Sequence, residues 1–254
     1  MKANLPEPVD AHLLAELLTP LSEFLRNYHA YRIYGLERIP PRGPALIVFN
    51  HSFASYDMFM FAAAVYTSLG RRVRPLGDRL IFKTPLLKTL AHRLGIVEGS
   101  MSDGIDLLRD QEELVAVAPG GMREALRPKE ERYKIDWKGR EGFARLAFEA
   151  QVPIILAACP AADDLYTLYD NAFTRLIYDK LKVPLPILRG LGPTLLPRPI
   201  KLTHEISMPI FPPKPSSNPE MHAAQISEFK RQVQEEMDEL MELAASHHEL
   251  RYGH

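Results

Sequence analysis

One cysteine, Cys159, among 254 residues excludes an intrachain disulfide, and nothing around it in the sequence has metal-ligand spacing. It reads as a small buried apolar side chain. No segment approaches the run of about 18 apolar residues that a membrane-spanning helix needs. The first ten residues, MKANLPEPVD, lack a basic region followed by an apolar core. No secretory signal is therefore expected, and the chain reads as cytoplasmic, with peripheral association at a membrane left open. An excess of either charge is also missing. Lys and Arg total 31 against 32 Asp and Glu, a net charge of −1, which argues against nucleic acid as a partner. The sequence has no G-x-S-x-G nucleophile elbow, no G-x-x-x-x-G-K-[ST] phosphate loop and no G-x-G-x-x-G dinucleotide turn. Internal repeats and long low-complexity tracts are absent as well.

What is present suits one globular domain, with room for helical appendages: 46% hydrophobic and 25% charged residues. Residues 10–29 carry Leu13, Leu14, Leu17, Leu18, Leu21, Phe24, Leu25 and Tyr28 at helical spacing, with Pro20 as a kink. Strands are expected at Ala45–Phe49, Val73–Leu76, Leu114–Ala118, Val152–Ala158 and Ile200–Met208. Helices are expected at Asp57–Leu69, at Thr84–Leu94, from Ser102 (as N-cap) to Arg109, at Gly139–Ala150, at Leu165–Leu181 and over residues 220–246. The last has the stripe Ile226, Phe229, Val233, Met237, Leu240, which should pack on the domain. The alternation predicts an α/β fold, a mostly parallel central sheet flanked by helices, with N- and C-terminal helices added. The expected boundaries are 1–30 for the N-terminal amphipathic segment, 31–213 for the main domain, and 214–254 for linker and final helix. The terminal HHELRYGH reads as solvated rather than metal-binding.

Two segments carry chemistry. FNHSFASYDMF puts His51 just after a buried strand, where ligands bind in α/β folds, and Asp57 in the first turn of the next helix. A neutral imidazole can take a proton from a hydroxyl, and a carboxylate on its other nitrogen would hold the tautomer and stabilise the imidazolium. A polar turn with no catalytic role has the same residues. The second segment, VAVAPGGMREALR, ends another buried strand in Gly120 and Gly121. Glycines let a substrate approach the backbone and leave N–H groups for an oxyanion or phosphate. Arg123 could hold a phosphate or carboxylate with its two-pronged guanidinium, or be an exposed surface arginine.

Taken in order, NHSFASYD, GDRLIFKTPLL, LGIVEGS, VAVAPGGMREAL and VPIILAACP resemble the glycerolipid O-acyltransferase superfamily, which includes bacterial lysophosphatidate acyltransferases. The likeness covers roughly residues 31–213. That superfamily has His-x4-Asp and Phe-Pro-Glu-Gly-Thr-Arg motifs. Here five residues separate His51 from Asp57, and Gly120 stands in place of the glutamate. The departures are similar to the branch holding diacylglycerol acyltransferase type 2 and plant phytyl ester synthases, as are the following Tyr133, Lys134, Trp137, Gly142 and Phe143. That branch acylates neutral alcohols.

The resemblance implies His51 and Asp57 as the catalytic pair, with Lys83, Gly120, Gly121, Arg123 and Glu124 contacting substrate. It implies acyl-CoA or acyl carrier protein as co-substrate, a lipid acceptor, and no metal or other cofactor. Lys83 is the candidate for a phosphate of donor or acceptor, and Glu124 for pairing with Arg123 or a neighbouring basic group. Lipid substrates call for surface docking, for which residues 10–29 and the cluster Arg71, Arg72, Arg74 are the expected contacts. The alternatives are a non-catalytic lipid- or acyl-CoA-binding module and an acyl-thioester hydrolase.

Overall fold

The computed structural model describes residues 11–127, 129–169 and 187–252. Its centre is a seven-stranded sheet in the order β1-β9-β6-β2-β5-β3-β4. The strands are β1 (Arg32–Tyr34), β2 (Ala45–Phe49), β3 (Val73–Gly77), β4 (Val97–Glu98), β5 (Leu114–Val117), β6 (Ile154–Ala158) and β9 (Thr203–Ile206). All neighbours pair in parallel except β6 and β9, which are antiparallel, so β9 and β1 run against the other five. A short antiparallel pair, β7 (Thr167–Tyr169) and β8 (Ile187–Arg189), stands apart.

Both faces of the sheet are covered, which is why its central strands read as unbroken apolar runs. The period of two is still visible in where their side chains go. Leu46 and Val48 of β2 join Val115, Ile154, Leu156 and Ala158 in one cluster. Ala45, Ile47 and Phe49 join Leu114, Ala116, Ile155 and Ala157 in the other. On the first face lie α7 (Gly142–Ala150) and α8 (Pro219–Tyr252). The expected stripe of α8 is buried there, with Phe229 only 2% and Val233 0% exposed. On the second face lies α2 (Tyr56–Leu69), through Phe61 and Val65.

Several local expectations shift. Ser100, not Ser102, caps α5 (Met101–Ile105), its hydroxyl accepting the Asp103 N–H at 3.0 Å, and the chain then widens into a π-turn over Asp106–Asp110. The helix expected at Leu165–Leu181 does not begin there, because Thr167–Tyr169 pairs as β7; positions 170–181 lie outside the described residues. The solvated reading of the tail is corrected: α8 continues to Tyr252, and His247 and Arg251 bond the Glu205 carboxylate at 3.0 and 3.2 Å. The N-terminal helix α1 (Ala11–Tyr28) contains Pro20, and Leu21 and Phe24 on it are exposed.

The arginine cluster is not a free basic surface. Arg74 is buried at 4% exposure, its Nε donating to the Gly95 carbonyl at 3.1 Å. Arg71 donates to the carbonyls of Pro40 and Glu112, and Arg72 pairs with Glu113 at 3.2 Å. They fasten loops at the edge of the sheet. Among the described residues no helix is long and apolar enough to cross a membrane.

The packing of α8 makes a direct expectation. Phe229→Ala should cost about 3–5 kcal/mol, read as a lowered urea midpoint, because a fully packed ring is replaced by a cavity. Phe211→Ala, at a ring that is 70% exposed, should stay within about 0.5 kcal/mol of the parent.

Candidate active site

The carboxyl ends of the three central strands, β6, β2 and β5, lie side by side, and each hands the chain to the same crevice. From β2 come Asn50, His51 and Ser52; from β5, the PGG turn; from β6, Cys159. Asn50 is buried and ties two of these ends together. Its Nδ2 donates to the Cys159 carbonyl at 3.2 Å, and its Oδ1 accepts the Cys159 N–H at 2.9 Å.

His51 is held on every side but one. Its Nδ1 lies 2.8 Å from the Ser52 carbonyl. A carbonyl only accepts, so Nδ1 carries the proton and Nε2 keeps its lone pair. The backbone N–H of His51 donates to Glu124 Oε2 at 3.1 Å, and its carbonyl accepts from Arg127 Nη2 at 3.0 Å. Burial lowers the His51 pKa; the Ser52 bond and the Asp57 charge pull it up, and Arg127 and Arg140 push it further down. The ring is thus a neutral base at physiological pH.

Asp57 reaches the site through Ser52. A short 3-10 turn, Phe53–Ser55, ends with Ser55 in the left-handed region at φ 50°, and α2 begins at once. That tight turn takes up the extra residue between His51 and Asp57 and brings the carboxylate back under the strand end. Ser52 Oγ donates to Asp57 Oδ1, and the Ser52 carbonyl holds the His51 ring. The direct bond expected between Asp57 and His51 is replaced by this one-residue bridge.

Behind Asp57 lies His204, which the spacing of the sequence does not reveal. Because β9 runs against β6, its first residues arrive at the same end of the sheet as His51. His204 Nε2 comes to 3.3 Å from Asp57 Oδ2, both side chains fully buried. The two atoms lack aligned hydrogen-bond partners, so the attraction is electrostatic. Tyr31 lies on the other side, its hydroxyl 2.8 Å from His204 Nδ1. Burial pushes the Tyr31 phenol well up, so it stays protonated and donates, which leaves the imidazole proton on Nε2 facing the carboxylate.

Cys159 completes a buried trio with Asp57 and His204, ligand atoms within 4.8 Å of one another. These are donor types that hold zinc. Ser52 holds the other oxygen of Asp57 and Tyr31 the other nitrogen of His204, so Asp57 Oδ2 and His204 Nε2 face each other across 3.3 Å without aligned hydrogen-bond partners. Burial also raises the thiol pKa well above its usual range, so Cys159 is neither a ready thiolate ligand nor a nucleophile.

The PGG turn supports the site from behind. A Cβ on Gly120 would meet Glu124 Oε2 at 2.0 Å, so this glycine makes room for the carboxylate. Gly121, at φ 55°, would press a Cβ to 2.4 Å from Arg140, which itself donates to the Pro119 carbonyl at 2.8 Å. The Gly121 N–H donates to Ala118 O at 3.2 Å and is not free for an oxyanion. Glu124, 2% exposed, accepts the N–H groups of His51 and Asp136 and lies 3.6 Å from Arg127. Burial pushes its pKa up, and Arg127 and the two N–H donors oppose that. Arg127 also reaches Asp163 at 3.4 Å. Gly120 and Glu124 stand behind the cavity wall. Arg123 is exposed and off the wall too, whereas Lys83, Gly121 and Arg140 line the cavity.

That cavity holds about 1160 Å³ and is mainly apolar, with His51 on its wall. Met58, Phe59, Leu76, Ile81, Leu87 and Phe143 supply much of the lining. The volume exceeds the range of about 300–1,000 Å³ usual for small-molecule sites and suits a long apolar ligand.

A family model described as "Acyltransferase" matches residues 30–159, just over half of the chain. Relatives include proteins described as a "DGAT1/2-independent enzyme synthesizing storage lipids". The one from Bos taurus is 34% identical over 170 residues, 66% of this chain and 50% of the relative. The one from Homo sapiens is also 34% identical, over 66% of this chain and 52% of its own length. An uncharacterised protein of Mycobacterium tuberculosis is 28% identical over 63% of this chain and 45% of its own. The chain thus spans about half the length of the curated relatives it matches. Among solved structures, the 1-acyl-sn-glycerophosphate (LPA) acyltransferase PlsC from Thermotoga maritima aligns over 89% of this chain and 83% of its own, at 18% identity and a TM-score of 0.49.

Two measurements check the geometry. Nitrogen-detected NMR should show His51 as the Nδ1–H tautomer, titrating below the ordinary value of about 6.5. Asp57→Asn should lower that midpoint further, since the carboxylate raises it. Glu124→Ala should destabilise the fold by about 3–5 kcal/mol in chemical denaturation, because it leaves Arg127 a buried charge with one partner fewer and orphans two N–H groups.

Proposed function

The chain belongs to the acyltransferase family, and on that premise we propose that it transfers a fatty acyl group from an acyl thioester to the hydroxyl of a lipid alcohol. The observation that carries the reading is the unbonded Nε2 of His51 on the wall of a large apolar cavity. The acyl chain of the thioester lies in that cavity. His51 Nε2 takes the proton of the acceptor hydroxyl, and the alkoxide oxygen attacks the thioester carbonyl. The tetrahedral intermediate collapses with cleavage of the C–S bond, and the leaving thiolate takes the proton from His51. Asp57 positions His51 through Ser52 and offsets the charge of the imidazolium that forms, while His204 holds the far side of the carboxylate.

The donor is acyl-CoA or acyl carrier protein. Lys83 and Arg140, the two lysine or arginine side chains among the lining residues, are placed to meet its phosphates or the charge developing on the thioester oxygen. We assign the acceptor to the neutral alcohols, of which diacylglycerol is the leading candidate. Support comes from PGG-M-R-E-A-L in place of a Phe-Pro-Glu-Gly-Thr-Arg motif, from the position of Arg123 off the cavity wall, and from relatives described as synthesising storage lipids.

The test is thiol release from palmitoyl-CoA with diacylglycerol, a long-chain alcohol, lysophosphatidate or no acceptor. Release that depends on a neutral alcohol and yields the matching ester is expected, with His51→Ala lowering kcat about 10²–10⁴-fold. The acid limb of kcat/KM should lie below pH of about 6.5, because a lowered His51 pKa keeps the base neutral further into acid. Release without acceptor would instead make the protein a thioester hydrolase. Tight acyl-CoA binding with no release, unchanged in His51→Ala, would make it a binding module.

A further inference from the structure

The mouth of the cavity is roofed by two short helices, α3 (Arg79–Lys83) and α4 (Pro85–Arg93). Their outer side is unlike the rest of the surface. Leu86 is 77%, Leu87 45% and Leu90 52% exposed, three leucines within one and a half turns. On α4 only Ala91 is buried. Leu86 and Leu90 are four residues apart and share one stripe of the helix, continued at its C-terminal end by Arg93, while Lys83 ends the preceding helix α3. Between Asp78 and Glu98 the sequence carries Arg79, Lys83, Lys88 and Arg93 and no acidic residue; Arg79 pairs with Glu98 at 3.8 Å, and Lys83, Lys88 and Arg93 supply the basic character of the surface. Exposed leucines flanked by basic side chains, with no acid among them, complement an anionic lipid surface, since cations are drawn to its headgroups and apolar side chains enter the acyl boundary.

The same residues open onto the cavity. Lys83, Thr84 and Leu87 belong both to this surface and to the cavity lining, and Phe59 of α2, 45% exposed, continues the apolar rim. The competing surfaces fit less well. Arg71, Arg72 and Arg74 are engaged within the chain, and α1 offers Leu21 and Phe24 with one basic residue, Arg26, in its last turn.

We propose that the α3–α4 surface, with Leu86, Leu87 and Leu90 inserted and Lys83, Lys88 and Arg93 at the headgroups, docks the protein on an anionic bilayer with the cavity mouth facing the lipid. A lipid then passes between bilayer and cavity without crossing water. The docking stands on this surface alone; what the cavity does with the lipid rests on the acyltransferase reading.

Co-sedimentation of the full chain with phosphatidylcholine vesicles, with and without phosphatidylglycerol, tests it. The wild type should bind only the anionic vesicles. Lys88→Ala/Arg93→Ala should weaken binding roughly 30-fold, at about fivefold per cation. Leu86→Ser/Leu90→Ser should abolish it, and Leu21→Ser/Phe24→Ser should leave it intact. Thermal melting should be unchanged in all three, since these side chains are exposed. Wild-type binding by the Leu86→Ser/Leu90→Ser variant, or equal binding to neutral vesicles, would overturn the proposal. So would a dimer in light scattering that this variant turns into a monomer, because a second copy would then cover the face. Activity on water-soluble short-chain acyl-CoA and alcohol should survive in the docking variants. Loss of vesicle binding with that activity retained supports docking, whereas absence of activity in every variant bears on the acyltransferase reading alone.

Discussion

The site depends on one buried carboxylate. Glu124 takes the backbone N–H of His51 on one oxygen and that of Asp136 on the other, and Arg127 lies against it while binding the His51 carbonyl. A buried ion pair adds little net stability by itself, because desolvation cancels much of the attraction. Its value here is geometric. Two loops, from β2 and β5, are locked by groups that can be satisfied in only one arrangement, and the base on the first loop inherits that rigidity. Gly120 follows from the same constraint, since only a hydrogen leaves space for the carboxylate.

The sheet legible in the sequence is the part where burial on both faces forces apolar runs: β2, β5 and β6 appear at nearly their observed bounds. The stripe of α8 was legible because helical spacing over many residues repeats the same message. His51 and Asp57 were legible from their place after a strand and at a helix start. Asn50, Arg127 and His204 were not, because Asn50 and Cys159 are 109 residues apart, Arg127 and His51 76, and His204 and Tyr31 173, and no local pattern marks them. The packing of the PGG turn was hidden for a related reason. A glycine pair signals that something approaches closely, and here the chain's own Glu124 and Arg140 do so.

Direction of a strand decides the rest of the site. Were β9 parallel to β6, His204 would sit at the opposite edge of the sheet from Asp57, and the carboxylate would face apolar packing with Ser52 as its sole close partner. Reversal brings a histidine, and through β1 a tyrosine, against the acid. Tyr31, His204, Asp57, Ser52 and His51 then form a file from the core to the cavity wall, in which four of five members are sealed from solvent and only the last lines the cavity.

The reversed strand also orders events in time. Tyr31 and His204 are 173 residues apart, and β9 is, among the described residues, the last strand to leave the ribosome. Until it does, a nascent chain already holding β2, β5 and β6 has an acid buried at the end of its sheet with no histidine behind it, and an unpaired strand edge on β6 where β9 belongs. Contacts of such long range are slow to close. The cavity lining, within residues 51–146, precedes β9 in the chain, and what β9 brings last is the histidine behind Asp57.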